Sequence, residues 1–209
     1  MSATKGERTR ERIIATVAPV FNQRGYAGTS LEDVMSASGL KKGGVYRHFE
    51  SKDELALAAF EHSLSMQAAR VRDAANSAMT AEGRLTALAR ALARNGDDPA
   101  VAGGCPLLNT AIECDDATGP VYPKLRTRAR RAMTSLIKFT EQLVRDGVTS
   151  GEFRGDVNAN DEATALVGSL EGALMLTRLY GDASYVQHAA ARIEARAHTL
   201  LARPARTRR

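Results

Sequence analysis

Tryptophan is absent from this chain, cysteine occurs twice and histidine four times. Two cysteines, Cys105 and Cys114, make neither a disulfide framework nor a zinc site, so reduced thiols are expected. The histidines (His48, His62, His188, His198) are scattered, and no Ser-His-Asp order, metal-ligand spacing or phosphate loop accompanies them. Paired acids at Asp97-Asp98 and Asp115-Asp116 fall in loop-like stretches and read as solvated turns. Neither an enzyme, nor a metal site, nor a cofactor is expected. No apolar run approaches the ~18 residues of a membrane span. The opening MSATKGERTRERII is charged where a signal peptide would be apolar. The expected compartment is the cytoplasm, without a membrane partner.

Aromatic residues make up 5% of the chain and strand-like alternation is missing, while alanine is abundant. The fold class expected is therefore all-α. The charge balance adds little. Net charge is +5, but the last seven residues, RPARTRR, carry four arginines, and taking those four from +5 leaves +1 for residues 1–202. The body is nearly neutral, and the tail, 203–209, reads as a disordered basic end.

Apolar periodicity and breakers give about nine helical segments. The first spans about Arg8–Arg24, buries Ile13, Ile14, Val17, Val20 and Phe21, and ends at Gly25; Pro19 should bend it. Ser30 with Asp33 resembles a capping box, with Thr29 and Glu32 as an alternative one residue earlier. A short helix comes next over Leu31–Ala37, and Gly39 suits a left-handed position after it. Later helices are expected near Ser51–Asn76, Ala81–Arg94, Pro106–Asp115, Lys124–Asp146, Asp161–Tyr180 and Ser184–Ala202.

Between the second helix and the one at Ser51 lies GLKKGGVYRHFESKDEL. Gly43 and Gly44 each cost a helix roughly 1 kcal/mol relative to alanine. Their position explains them. Residues 31–46 have the spacing of a helix-turn-helix, whose second helix enters the DNA major groove. A bare residue lets the backbone approach a surface closely. A helix N-terminus offers amide groups to phosphate, and Lys41 and Lys42 can reach a phosphate or a guanine edge. The Tyr46 hydroxyl can meet a phosphate, Arg47 reads as a solvated or phosphate-facing charge, His48 as a phosphate neighbour or a structural histidine, and Phe49 as core.

These residues carry a family resemblance. Phe21, Arg24-Gly25-Tyr26, Thr29-Ser30, Gly39-Leu40, Lys42-Gly43-Gly44-Val45-Tyr46, His48-Phe49, Ser51-Lys52 and Leu55 occur in the order of the DNA-binding domain of tetracycline-repressor (TetR) family regulators. The chain resembles that family most over roughly residues 8–60. The resemblance implies that Lys42 and Gly43 meet bases and that Ser30, Tyr46, His48 and Lys52 meet phosphates. Thr29, Lys41, Gly44 and Arg47 complete the expected DNA-facing set. Lys41 departs from the pattern, standing where the family often has a Ser or Thr cap.

Further on, GGCPLLNTAIECDD, TSGEFRGDVN and SLEGALMLTRLYGD are similar to one C-terminal type of the same family. This implies a ligand-sensing and dimerisation domain over 54–202, after a DNA-binding domain over 1–53 with its helix-turn-helix at about 31–50. The implied partners are double-stranded operator DNA, a small-molecule effector and a second copy of the chain. The effector set expected is Cys105, Leu108, Asn109, Ile112, Met133, Ile137, Leu170 and Leu174. Cys105 lies at a helix start, where a thiol pKa can fall; the plainer reading is a small buried residue. The last helix carries a stripe, Val186, Ala189, Ile193 and Ala197. With Leu166, Leu170 and Ala173 it is expected to form a two-fold four-helix dimer interface, the competing reading being burial inside one chain. The functional expectation is a repressor that binds a palindromic operator as a dimer and is released by a small molecule. The alternative is a small-molecule-binding or redox-reactive helical protein, a thiol-based enzyme or sensor, without specific DNA binding.

Overall fold

The computed structural model describes residues 4–94, 102–115 and 117–202. Most of the loop at 95–104, with Asp97 and Asp98, and also Asp116 and the tail at 203–209, lie outside the described residues. Among the described residues the chain forms nine helices: α1 (Lys5–Gly28), α2 (Leu31–Ser38), α3 (Lys42–Tyr46), α4 (Lys52–Asn76), α5 (Ala81–Ala93), α6 (Pro106–Glu113), α7 (Tyr122–Thr149), α8 (Ala159–Tyr180) and α9 (Ser184–Leu200). An isolated bridge between Phe153 and Leu201 is the extended pairing recorded among them. No described helix is long and apolar enough to cross a membrane.

Two compact units share these helices. The first comprises Met1–Gln67 and Asn95–Ala132. Its N-terminal core is built from Ile13, Ile14, Val17, Ala18 and Phe21 of α1, Val34 of α2, Val45 of α3, Phe49, and Leu55, Ala56 and Ala59 of α4. Burial of this apolar set at roughly 25 cal/mol per Å² is the main force holding the small helices together. Helix α1 starts earlier than its periodicity indicates, because Thr4 caps it in a reciprocal box with Glu7. It also runs past Gly25, where the backbone turns to φ +75° and ψ 171° before one more helical turn. The Ser30–Asp33 box and the left-handed Gly39 at φ +67° bound α2 as the sequence indicates.

The second unit comprises Ala68–Arg94 and Met133–Arg209. Leu85, Leu88 and Leu92 of α5, Leu143 and Val144 of α7, Leu166 and Leu170 of α8, and Ile193 and Leu200 of α9 form its core. The TSGEFRGDVN break is a plug. Phe153 is 1% exposed, and the Glu152 carboxylate accepts the N–H groups of Ala81 and Glu82 at 2.7 and 2.8 Å, capping α5 from about seventy residues away. At Gly147 a Cβ would sit 2.4 Å from the Phe153 ring, so that glycine makes room for the plug.

One expectation is corrected here. Leu166, Leu170, Ala173, Val186, Ile193 and Ala197 are all buried within the chain and Ala189 is half-buried. They pack within this unit, with Leu166, Ala189, Ile193 and Ala197 along the edge of an open cavity. Helical periodicity reveals that a stripe is covered but not what covers it. What α8 leaves outward is Ala165, Gly168, Met175 and Leu179, with Leu179 70% exposed and open space beside Gly168 and Gly172.

Candidate nucleic-acid interface

Helix α3 and its flanks present the residues that point to DNA. Lys41 occupies the N-cap in extended conformation and makes no side-chain cap, as its departure from Ser or Thr implies. The first N–H groups of any helix lack intrahelical partners. Gly43 comes next but one, exposed, and a Cβ built there would meet nothing within 4 Å. The fold therefore places no steric demand for glycine at this position. Gly44 differs, since a Cβ would lie 3.4 Å from the Leu40 Cβ. Lys41, Lys42, Tyr46 and Arg47 are exposed around this bare spot. The Lys42 ammonium lies 6.0 Å from the Tyr46 ring centre, one turn along. Val45 and Phe49 point inward, each 2% exposed, and the Arg10 guanidinium stacks 4.7 Å over the Phe49 ring. His48 is half-buried just beyond the helix, its N–H bonded to the Val45 carbonyl.

Ser30 is exposed at the start of α2, its hydroxyl and N–H both engaged with Asp33. Those hydrogen bonds, the side-chain one first, hold Asp33 below the usual carboxylate range. Thr29 is corrected: it is fully buried and its hydroxyl donates to the Gly25 carbonyl at 2.6 Å, so its side chain is spent inside the protein. Lys52 is only half available. Its ammonium donates to the Tyr26 carbonyl at 2.7 Å and lies 4.2 Å over the Tyr26 ring. Desolvation there lowers its pKa from the ordinary lysine value.

The eight residues expected to hold an effector do not share one unit. Cys105, Leu108, Asn109 and Ile112 belong to the first unit and Met133, Ile137, Leu170 and Leu174 to the second. Cys105 is 1% exposed with the Gln67 amide 3.7 Å from its sulfur, as its plainer reading requires. Ile112 is 62% exposed and walls no pocket, and the Asn109 amide is taken up by the end of α1. Cys114 lies just past α6 and not inside it, and burial pushes its thiol pKa up. In the second unit an open cavity of about 480 Å³ is lined instead by Leu85, Val144, Leu166, Ser169, Ile193 and Arg196, among others. Sequence reading also passed over Glu171, an acid buried on α8, and over Asn22 and Glu113. No group of three or more potential metal ligands occurs among the described residues.

A short helix with a bare, open first turn, ringed by lysines and set on a buried three-helix core, defines a helix-turn-helix that reads duplex DNA. Comparison with known proteins agrees. Residues 13–59 match the profile of bacterial regulatory proteins of the tetR family, and residues 81–193 match the tetracyclin repressor-like C-terminal domain. A TetR transcriptional regulator from Chloroflexus aurantiacus superposes with a TM-score of 0.86 at 38% identity, covering 94% of this chain and 98% of that one. A TetR family regulator from Cytophaga hutchinsonii gives 0.86 at 30% identity, covering 98% and 100%. In sequence, the HTH-type transcriptional repressor DhaR of Mycobacterium sp. (strain GP1) is 24% identical over 171 residues, 81% of this chain and 82% of that protein. The chain belongs to the TetR family. It is a ligand-responsive DNA-binding transcriptional regulator, acting through DNA and not through catalysis.

Proposed function

We propose that this regulator binds a palindromic operator as a homodimer and leaves it when a small molecule binds the C-terminal domain. The observation that carries the reading is Gly43: an exposed glycine, in a helix, with no protein atom that forbids a side chain. Its bareness serves something outside the chain. Lys42 and Gly43 face the bases in this reading; Lys41, Tyr46, Arg47, His48 and Ser30 face the backbone phosphates, and Lys52 does so with the protons that Tyr26 leaves over. Gly44 contributes by lying flat against Leu40.

Dimerisation is assigned to the outward side of α8, where Ala165, Gly168, Gly172, Met175 and Leu179 recur at helical spacing. An apolar exposed stripe with two open glycines suits a closely crossing helix from a second copy. Two recognition helices so joined would sit about 34 Å apart on successive major grooves. The name of the DhaR relative supports repression as the sign of regulation. An effector acts by binding better to the dimer whose recognition helices are wrongly spaced.

The test is selection of genomic DNA fragments by the full-length protein, followed by footprinting. A protected two-fold site of two half-sites one turn apart is expected. Recovery of no preferred sequence, or protection of one half-site by a monomer, refutes the reading.

A further inference from the structure

Helix α6 grips the kink of α1 at several points. Asn109 donates from its amide nitrogen to the Asn22 carbonyl at 3.0 Å, to Asn22 Oδ1 at 3.1 Å and to the Gly103 carbonyl at 2.9 Å. The Asn22 amide in turn donates to the carbonyls of Ala102 and Gly104, each at 3.0 Å. One helical turn beyond Asn109, Glu113 accepts the N–H of Tyr26 at 2.9 Å and that of Ala27 at 2.8 Å. These are the first N–H groups after the break at Gly25. The side chains at i and i+4 of α6 thus bind a carbonyl before the kink and the first amides after it.

The backbone on both sides is shaped to receive this grip. A Cβ at Gly25 would lie 2.9 Å from both Glu113 carboxylate oxygens, and one at Gly103 would lie 2.8 Å from the Asn22 carbonyl oxygen. Beneath the contact lies a cavity of about 40 Å³ lined by Phe21, Tyr26, Phe60, Asn109 and Glu113, among others. A carboxylate accepting two backbone N–H groups is a strong, charge-assisted contact.

The DNA-reading machinery begins just past the kink. The Tyr26 carbonyl receives Lys52, its hydroxyl binds Asp53 on the first turn of α4, and the Gly25 carbonyl receives Thr29, next to the Ser30 cap of α2. We propose that Glu113 and Asn109 are positioning residues for operator binding: by holding the α1 kink they set the place of the α2 start and of Lys52. The inference rests on the DNA-binding reading above. It gives α6 a direct hold on the turn that leads into α2.

The experiment uses full-length Glu113→Gln and Asn109→Ala, with Arg128→Ala as a control in the exposed Arg128–Glu61 pair of the same unit. In Glu113→Gln one oxygen is replaced by a donor that opposes an N–H. Operator affinity by fluorescence anisotropy should fall about tenfold in both variants, in the range of couplings between linked sites. Affinity for unrelated duplex should fall as well, since phosphate contacts govern it and Ser30 and Lys52 are placed on phosphates. Arg128→Ala should behave as wild type. Amide exchange at Tyr26 and Ala27 reports whether the grip has opened. If exchange accelerates while operator affinity holds or rises, the contact is structural only and the proposal falls. If one variant fails to fold, the other decides by the same criterion. Should the wild-type protein select no operator at all, the DNA reading itself fails, and the exchange result still says whether the grip exists.

Discussion

Replacing Gly43 should separate stability from function. Nothing lies within 4 Å of a Cβ at this position and its φ is not in the left-handed region, so a Cβ fits there without strain. Glycine inside a helix is worse than alanine by roughly 0.5–1 kcal/mol, so Gly43→Ala should stabilise the protein by about that amount. For a chain of this length that is about 1–4 °C in Tm. Operator binding should move the other way. A side chain at the point of closest approach lifts the backbone from the groove. The loss should resemble that of a good base contact, about 1–3 kcal/mol, or about five- to 150-fold in Kd for Gly43→Leu. Thermal melting and anisotropy at one fixed salt concentration read both effects. Gly147 supplies the opposite case, since a Cβ there would lie 2.4 Å from the Phe153 ring. Gly147→Ala should lower Tm, by about 1–3 kcal/mol of overpacking. A Gly43→Leu protein that binds its operator as wild type does, or melts below it, would refute the reasoning.

Lys52→Met should reduce the slope of log affinity against log salt by about 0.9 if its free protons meet a phosphate; an unchanged slope means that Lys52 only braces Tyr26. Gly168→Glu, on the outward side of α8, should give a folded monomer by sedimentation, whereas Ile193→Glu should unfold the second unit by burying an unpaired charge. A dimeric Gly168→Glu protein would put the interface elsewhere. Hydrogen bonds hold Asp33 and Glu54 below their ordinary values of 3.8 and 4.5, Asp33 through Ser30 and Glu54 first through the Glu50 N–H. A lowered carboxyl pKa stabilises the fold above the unfolded-state value, and that contribution is lost as pH falls through the folded one. The first unit should therefore loosen below about pH 4 in an acid titration followed by circular dichroism, and Asp33→Asn should flatten that dependence; an identical acid profile removes Asp33 from the account.

Much of this was legible because local signals agreed with the tertiary structure. Gly39 takes the left-handed cap, Ser30 and Asp33 pair, and Phe49 turns inward, each set by residues within four positions. Faces were harder. The stripe through Val186 and Ile193 is periodic whether a second chain or α5 covers it, and here the same chain does. Thr29 and Ser30 are adjacent hydroxyls, and only the path of the chain after Gly25 decides which one caps α2 and which is buried. Lys52 carried the family's phosphate role in sequence, but the carbonyl it binds belongs to Tyr26, 26 positions earlier. Glu113 gave no sign, because its two partners lie 87 and 86 residues away.

The same device occurs twice in the chain, and the two cases test each other. Glu152 caps the start of α5 through Ala81 and Glu82, and Glu113 caps the turn after Gly25 through Tyr26 and Ala27. Both place a carboxylate from a distant segment on two adjacent backbone N–H groups. Leaving such groups poorly satisfied costs about 1–3 kcal/mol in either place. The difference lies in what each turn supports. Beyond Glu152 are core leucines, Leu85 and Leu88. Beyond Glu113 are Ser30 and the Tyr26 carbonyl that holds Lys52. Glu152→Gln should therefore lower Tm by several degrees and leave the operator affinity of the folded protein within about twofold, whereas Glu113→Gln should lower affinity by more than its loss of stability explains. If the two variants lose affinity in equal proportion to their stability, the caps are interchangeable supports and α6 has no special hold on the DNA-binding helices.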